Sequence, residues 1–431
     1  MRIAAALPFL IVSFPALAQS QPAARVDRLG DPLPPHAVGR LGTIRFLPQA
    51  NSISRISWSP DGKQLASLAS VFFGASDPGV QIWDPKTGLE IGPRGLVHRQ
   101  VEAMAWGPAS RSLAVCVDSS GIEIWDVVKK QKLRTISKDS SFDCLGWSAD
   151  GKWIAAGDRD KDLTIFLAET GKVARTIPHT SACLDFSHDS KLIVAGKGRS
   201  FQVWNVSTGK TLHKIRLKPK SFPYEVHFSP DDQSLLLTGA PTALVDLTAM
   251  KPQVTELTDG DDSVVSFSAA FSPDGKQFVV GGIAHGRLFD TAAKTLLRRF
   301  PEHTGFACAF SPDGKRIVFD VRRLVFVDAI TGEEDDPFSA HSRMVLSMAL
   351  SPDGRTAYVP NIGRIIRKWD VESTKTTGKL TLPEGTARAI TISHDGSQLA
   401  IAQGQMVHFF DTKSGQVTGK PLVTHKESLM Y

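Results

Sequence analysis

Four times in this chain a hydrophobic run meets Ser-Pro-Asp-Gly and turns into a second hydrophobic run, at Ser59–Gly62, Ser272–Gly275, Ser311–Gly314 and Ser351–Gly354. Degraded copies stand at Gly107–Ser110, Ser148–Gly151, Ser187–Ser190, Ser229–Asp232 and Ser393–Gly396, so nine units follow one another at intervals of about 40 residues. A unit that short cannot bury both faces of its own sheet. Neighbours must therefore stack on one another, and this requirement limits the architecture before any chemistry is considered.

Within each unit the pattern is strand, Asp-Gly turn, strand, loop, strand, Thr-Gly or Ser-Gly turn, strand. In the first unit the strands are expected at 53–59, 64–70, 80–84 and 89–92. Asp-Gly suits the tight turn because glycine accepts positive φ and aspartate bonds the local backbone. Lys86-Thr87-Gly88, Glu169-Thr170-Gly171, Ser207-Thr208-Gly209 and Ile330-Thr331-Gly332 mark the second turn. The third strand closes on an aromatic and an acid at Trp83-Asp84, Trp125-Asp126, Trp369-Asp370, Phe289-Asp290 and Phe410-Asp411, with Trp204-Asn205 as a variant.

These phrases resemble the WD-repeat family over roughly residues 41 to 425. The resemblance implies an all-β fold, a single closed β-propeller of four-stranded antiparallel blades. Nine blades are expected, or eight if one unit is absorbed. Thr43–Phe46 is expected to close the ring by pairing with the blade that holds Ser393–Asp411. The family's polar network of a His, an Asp, a Ser and the Trp is mostly missing. His98 with Asp118 comes nearest to it, His179, His303 and His341 lack the Asp, and Asp77 and Asp160 lack the His. Apolar packing between blades must then supply most of the stability, at about 25 cal/mol per Å² of buried apolar area.

The flanks read differently. Arg2, an apolar run from Ile3 to Phe14 and the small-residue pattern Ala16-Leu17-Ala18 describe a secretory signal peptide, residues 1–18, too short to span a bilayer. A Pro-rich leader follows over residues 19–40, the propeller is expected over 41–425, and 426–431 form a tail. The expected destination is a periplasm or the cell exterior. No later stretch is apolar enough for a transmembrane segment, and a monomer is expected. Net charge is +6, or +5 without Arg2. That mild excess, scattered along the chain, does not point to nucleic acid. Cys116, Cys144, Cys183 and Cys308 each lie in an apolar strand-like stretch and read as buried free thiols.

Counted back from each anchor, the residue one before the turn is large and apolar: Trp58, Trp106, Trp147, Phe186, Phe228, Phe271, Phe310, Leu350 and Ile392. The residue two before is mostly small, as expected where another blade presses close. Asp185 and His227 break that rule, with Cys183 and Glu225 two residues further back on the same face. These types can ligate a metal, but equivalent positions in adjacent blades point the same way round a ring and need not converge. No metal site, catalytic residue or cofactor is expected. The chain also lacks Gly-x-Ser-x-Gly, Cys-x-x-Cys and His-Glu-x-x-His.

Recognition is easier to place. The loop between Ser59 and Trp83 is about seven residues longer than that between Ser187 and Trp204, and it carries Phe72 and Phe73. Loops on the same expected face carry Lys197, Arg199, Arg287, Arg322, Arg323, Arg343 and Arg364, with His285 beside Arg287, a sector suited to acidic partners. The expected function is a non-catalytic propeller that binds or scaffolds other proteins outside the cytoplasm. Two alternatives are a metal-dependent propeller hydrolase or lactonase, and a module for carbohydrate or another small ligand.

Overall fold

The computed structural model describes residues 53–423 except loop positions 70–78, 92–95, 97–99, 119, 139–141, 159, 161, 219–222, 258–264, 283–284, 302–305, 321–323, 335–346, 361–363, 374, 383–386, 388 and 404–405. Before residue 53 it describes 26, 30 and 31 alone, so the signal peptide, the proposed closing strand Thr43–Phe46 and the tail fall outside the described residues.

In every unit but the second, which has Gly107 and Ala109 in their places, the serine and aspartate of the repeat form a compact hydrogen-bonded turn. In the first unit Ser59 Oγ donates to Asp61 Oδ1 at 2.7 Å and accepts from the Gln64 N–H at 3.0 Å, while Lys63 N–H reaches Asp61 Oδ1 at 3.1 Å. Gly62, at φ 68°, takes the left-handed position that a β-carbon would strain. Where the glycine is replaced, Ser110, Ser190 and Asp232 hold the same conformation, at φ 59°, 62° and 59°.

Each turn joins the first two strands of an antiparallel meander. In the fourth unit the strands are Cys183–Phe186, Leu192–Lys197, Ser200–Asn205 and Thr211–Arg216, hydrogen-bonded in that order. The described residues contain nine such sheets, all antiparallel, and no helix. Two of them, in units one and seven, have three strands. In both, an isolated bridge, Trp83 to Glu90 and Val327 to Glu334, begins a fourth. Unit nine completes its sheet with its own Leu422–Val423. With the sheets of units one to seven packed face to face in sequence order, the fold is an all-β propeller.

The core lies between sheets. One apolar cluster joins units one and two through Val80, Ile82, Trp106 and Val115. Equivalent clusters join two to three, three to four, four to five, five to six and six to seven. The next cluster does not lead on to unit eight. It joins seven to one, with Ile53, Ile56, Leu65 and Trp83 packed on Ala309, Val318, Leu324 and Phe326. Trp58 meets Phe326 edge to face at 6.2 Å between ring centroids, and Asp320 Oδ2 accepts the Ile53 N–H at 3.0 Å.

The turns show the same seam. A β-carbon built on Gly151, Gly275 or Gly314 would stand 3.1 to 3.4 Å from the proline of the preceding unit, Pro108, Pro230 or Pro273. Gly62 meets Pro312 of unit seven at 3.2 Å. Gly354 of unit eight meets nothing within 4 Å, and Leu350 beside it is 47% exposed. Units eight and nine pair with each other through Tyr358, Leu380, Leu399 and Phe410, with Gly396 against Pro352 at 3.1 Å. Arg367 Nη2 reaches back to Glu334, at the end of unit seven, at 2.9 Å. The described face of unit one is occupied by unit seven.

Candidate functional site

The first strands carry a polar cluster at the centre. Four residues before the anchor, units one and five place Arg55 and Glu225, and Arg55 Nη1 lies 3.1 Å from Glu225 Oε1. Glu225 Oε2 is 3.2 Å from His227 Nε2 and accepts the Ala269 N–H of unit six at 3.3 Å, while the Glu225 N–H donates to Thr238 Oγ1 at 2.8 Å. Asp185 of unit four accepts the Phe228 N–H at 2.8 Å through Oδ2. A charge pair between units one and five holds non-adjacent units together.

The electrostatics follow from these contacts. Burial opposes ionisation of Glu225, yet the Arg55 guanidinium and the His227 ring hold its carboxyl below its ordinary value. Burial disfavours a charged His227 as well, but the hydrogen bond and charge of Glu225, helped by Asp185, win and raise it. Asp185 itself is pushed up by burial, against the pull of His227 and the Phe228 N–H. Glu225 is therefore ionised and matched by cations of the protein itself, and this does not fit a metal ligand set. Among the described residues no group of three or more His, Cys, Asp or Glu side chains is placed to hold an ion.

Asp185 and His227 were legible as exceptions to the small-residue rule, and Glu225 as the residue two further back on the same face. Their convergence was not, because it depends on which units face each other. Arg55 escaped the sequence reading, although comparing the fourth residue before every anchor shows a lone cation there to match a lone anion. The four cysteines are free and buried as expected; Cys183 has its thiol pushed up to about 12 by burial, which removes it from nucleophilic chemistry.

The proposed contact residues divide. Lys197 is exposed and lies 3.6 Å from Asp160, which offsets part of its charge. Arg199 is half-buried in the next turn. Arg364 is exposed, with Nε donating to the Leu382 carbonyl at 3.0 Å, but it belongs to unit eight. Arg287 requires correction as a surface contact. It is 4% exposed because its side chain turns inward, donating from Nη2 to Ser266 Oγ at 2.7 Å and lying over the Phe289 ring. Phe72, Phe73, Arg322, Arg323 and Arg343 lie outside the described residues.

Comparison with known proteins agrees with this architecture. The family described as WD domain, G-beta repeat matches residues 42–84 and 130–166. Protein groucho of Drosophila melanogaster is 28% identical over 156 residues, which are 36% of this chain and 20% of that one. The WD repeat-containing protein slp1 of Schizosaccharomyces pombe is 24% identical over 181 residues, 39% of this chain and 36% of its own length. The chain thus spans a minor part of these relatives. Among solved structures, Kuenenia stuttgartiensis hydrazine synthase superposes with a TM-score of 0.57 at 18% identity, over 65% of this chain and 96% of that chain. At that identity the likeness concerns the fold. Structure and sequence together describe a β-propeller in which two segments match the WD-repeat model.

Proposed function

We propose that units one to seven form a closed ring with units eight and nine appended as a pair, and that the molecule is a non-catalytic scaffold that recognises other proteins outside the cytoplasm. The observation that carries the ring is Pro312 seated against Gly62, a repeat of the contact made between consecutive units. Recognition draws on similarity to WD-repeat proteins and on the frame itself. Strands locked by packing on both sides hold the loops before the first and third strands rigidly enough to present contacts. Export rests on Arg2, the apolar run to Phe14 and Ala16-Leu17-Ala18. The contacts proposed are Phe72 and Phe73, supported by the cations Lys197, Arg199, Arg322, Arg323, Arg343 and Arg364.

Immobilised protein beginning at Gln19 is the bait. Proteins it captures from an exported fraction should be lost by the Phe72→Ser, Phe73→Ser double variant at unchanged melting temperature, and capture should weaken as salt rises. Equal capture by both baits, insensitive to salt, overturns the recognition reading. N-terminal sequencing of the cell-made protein should begin at Gln19, and an intact Met1 overturns export.

A further inference from the structure

On the opposite face, where the first-strand turns of units one to four come together, lies a cavity of about 330 Å³. Its walls are Trp106, Trp147 and Phe186, with Pro60 and Pro108 exposed at the rim. Its lining holds one carboxyl group, that of Asp185, with His188 beside it. The Trp106 indole N–H is spent on the Ser57 carbonyl at 3.1 Å, and that of Trp147 points to the Gly151 carbonyl at 3.4 Å. Neither indole needs a polar partner from a ligand, so what these rings offer is their apolar surface and π-electrons.

Asp185 makes no direct ion pair. Its Oδ2 accepts the Phe228 N–H, yet among the described residues no Lys, Arg or His comes within ion-pair distance of it. His188 points its Nδ1 at Asp232, 3.0 Å away, and His227 engages Glu225. A carboxylate at the wall of an aromatic cavity attracts a cation, and the cation gains further from ring faces when water is excluded. Burial raises the Asp185 pKa, and the more distant charges of His227 and His188 offset that only in part.

We propose that this cavity binds a compact organic cation, an alkylammonium or guanidinium group, between the Trp106, Trp147 and Phe186 rings and the Asp185 carboxylate. The volume suits one such headgroup with a short stem. The site is independent of the recognition proposed for the loop face.

Calorimetric titration of the full chain with choline and with methylguanidinium tests it. The control is choline's uncharged isostere, in which a tert-butyl group replaces trimethylammonium. Saturable binding of at least one cation is expected, with the isostere and the Asp185→Asn variant each weakened roughly tenfold. Asn keeps an acceptor for the Phe228 N–H, so this change spares the fold. Ala149→Trp, at an exposed rim position, should block the mouth without touching the core. The preferred cation distinguishes a quaternary amine ligand from an arginine-like one. The proposal is overturned if neither cation binds, if the isostere binds as tightly as choline, or if a folded Asp185→Asn or Ala149→Trp variant binds like wild type.

Discussion

Gly62 and Gly354 occupy the same place in the same Ser-Pro-Asp-Gly turn, at φ 68° and 70°, yet the first is wedged against Pro312 and the second faces open space. The large residues four positions before them differ in the same way: Trp58 packs on Phe326, and Leu350 is largely exposed. Farther out on that face of unit eight, Ala357, Val359 and Trp369 are nonetheless buried, so it is the inner strand that lacks a preceding unit. Identical local chemistry is thus wedged against a distant unit in one place and faces open space in the other. A turn can be built from its own residues, whereas its neighbour is chosen by the whole assembly.

The largest effect should come from cutting the seam itself. Phe326→Ala removes a buried ring from the cluster between units seven and one and should cost about 3–5 kcal/mol in urea unfolding. The same truncation at the half-buried Phe409, on the outer side of unit nine, should cost clearly less. Equal losses would mean that the seam is no tighter than the end of the chain.

Next comes the pair across the axis. Arg55→Met leaves the Glu225 carboxylate buried beside His227 alone, and about 2–3 kcal/mol should be lost. That is below the range for a fully enclosed pair because Arg55 keeps 32% of its side chain exposed. Unfolding of the double variant Arg55→Met, Glu225→Gln should recover part of the loss. A double variant no better than the single one removes the argument for an unpaired buried charge.

The pH dependence is a smaller and more selective test. A lowered Glu225 pKa contributes stability that is complete above its ordinary 4.5 and is lost as pH falls through the folded value. A raised His227 pKa contributes stability that is complete below its ordinary 6.5 and is lost as pH rises through the folded value. The cluster is thus strongest between pH 4.5 and 6.5. The stability difference between wild type and His227→Gln should shrink as the pH is raised above that window; a difference that grows on the alkaline side contradicts the assigned protonation.

The smallest effect separates the two glycines. Both Gly62→Ala and Gly354→Ala place a β-carbon at positive φ, which costs about 1 kcal/mol. Only the first must also push Pro312 aside, so its melting temperature should fall further. If the two shifts match, the contact with Pro312 is not a packing constraint in solution.

Much of this was readable from residues. The period marked nine sheets, the Asp-Gly and Thr-Gly phrases placed their turns, and the residue before each anchor identified a packing face. The cross-unit contacts were half-readable. Pro60, Pro108, Pro230, Pro273 and Pro312 have no N–H to satisfy. Units three and four carry Ala149 and His188 instead. Where the next unit lacks its turn glycine, the residue in that place becomes an acceptor: Ser110 Oγ takes the Asp61 N–H at 2.9 Å, Ser190 Oγ takes the Asp150 N–H at 3.0 Å, and Asp232 takes the N–H groups of His188 and Asp189 at 2.7 and 3.0 Å. Arg287 was misjudged because it follows a loop glycine. In the strand Gly286–Asp290 it is the second residue, on the side facing Ser266.

What the chain's own order of residues determined is the unit: where it turns, which side chains alternate, and that one sheet must lie on another. What only the tertiary structure decided is the partner of each face, because nearly identical turns give every unit nearly the same edge. Unit seven, and not the adjacent position in the sequence, supplies the residues that pack on Ile53 and Trp58.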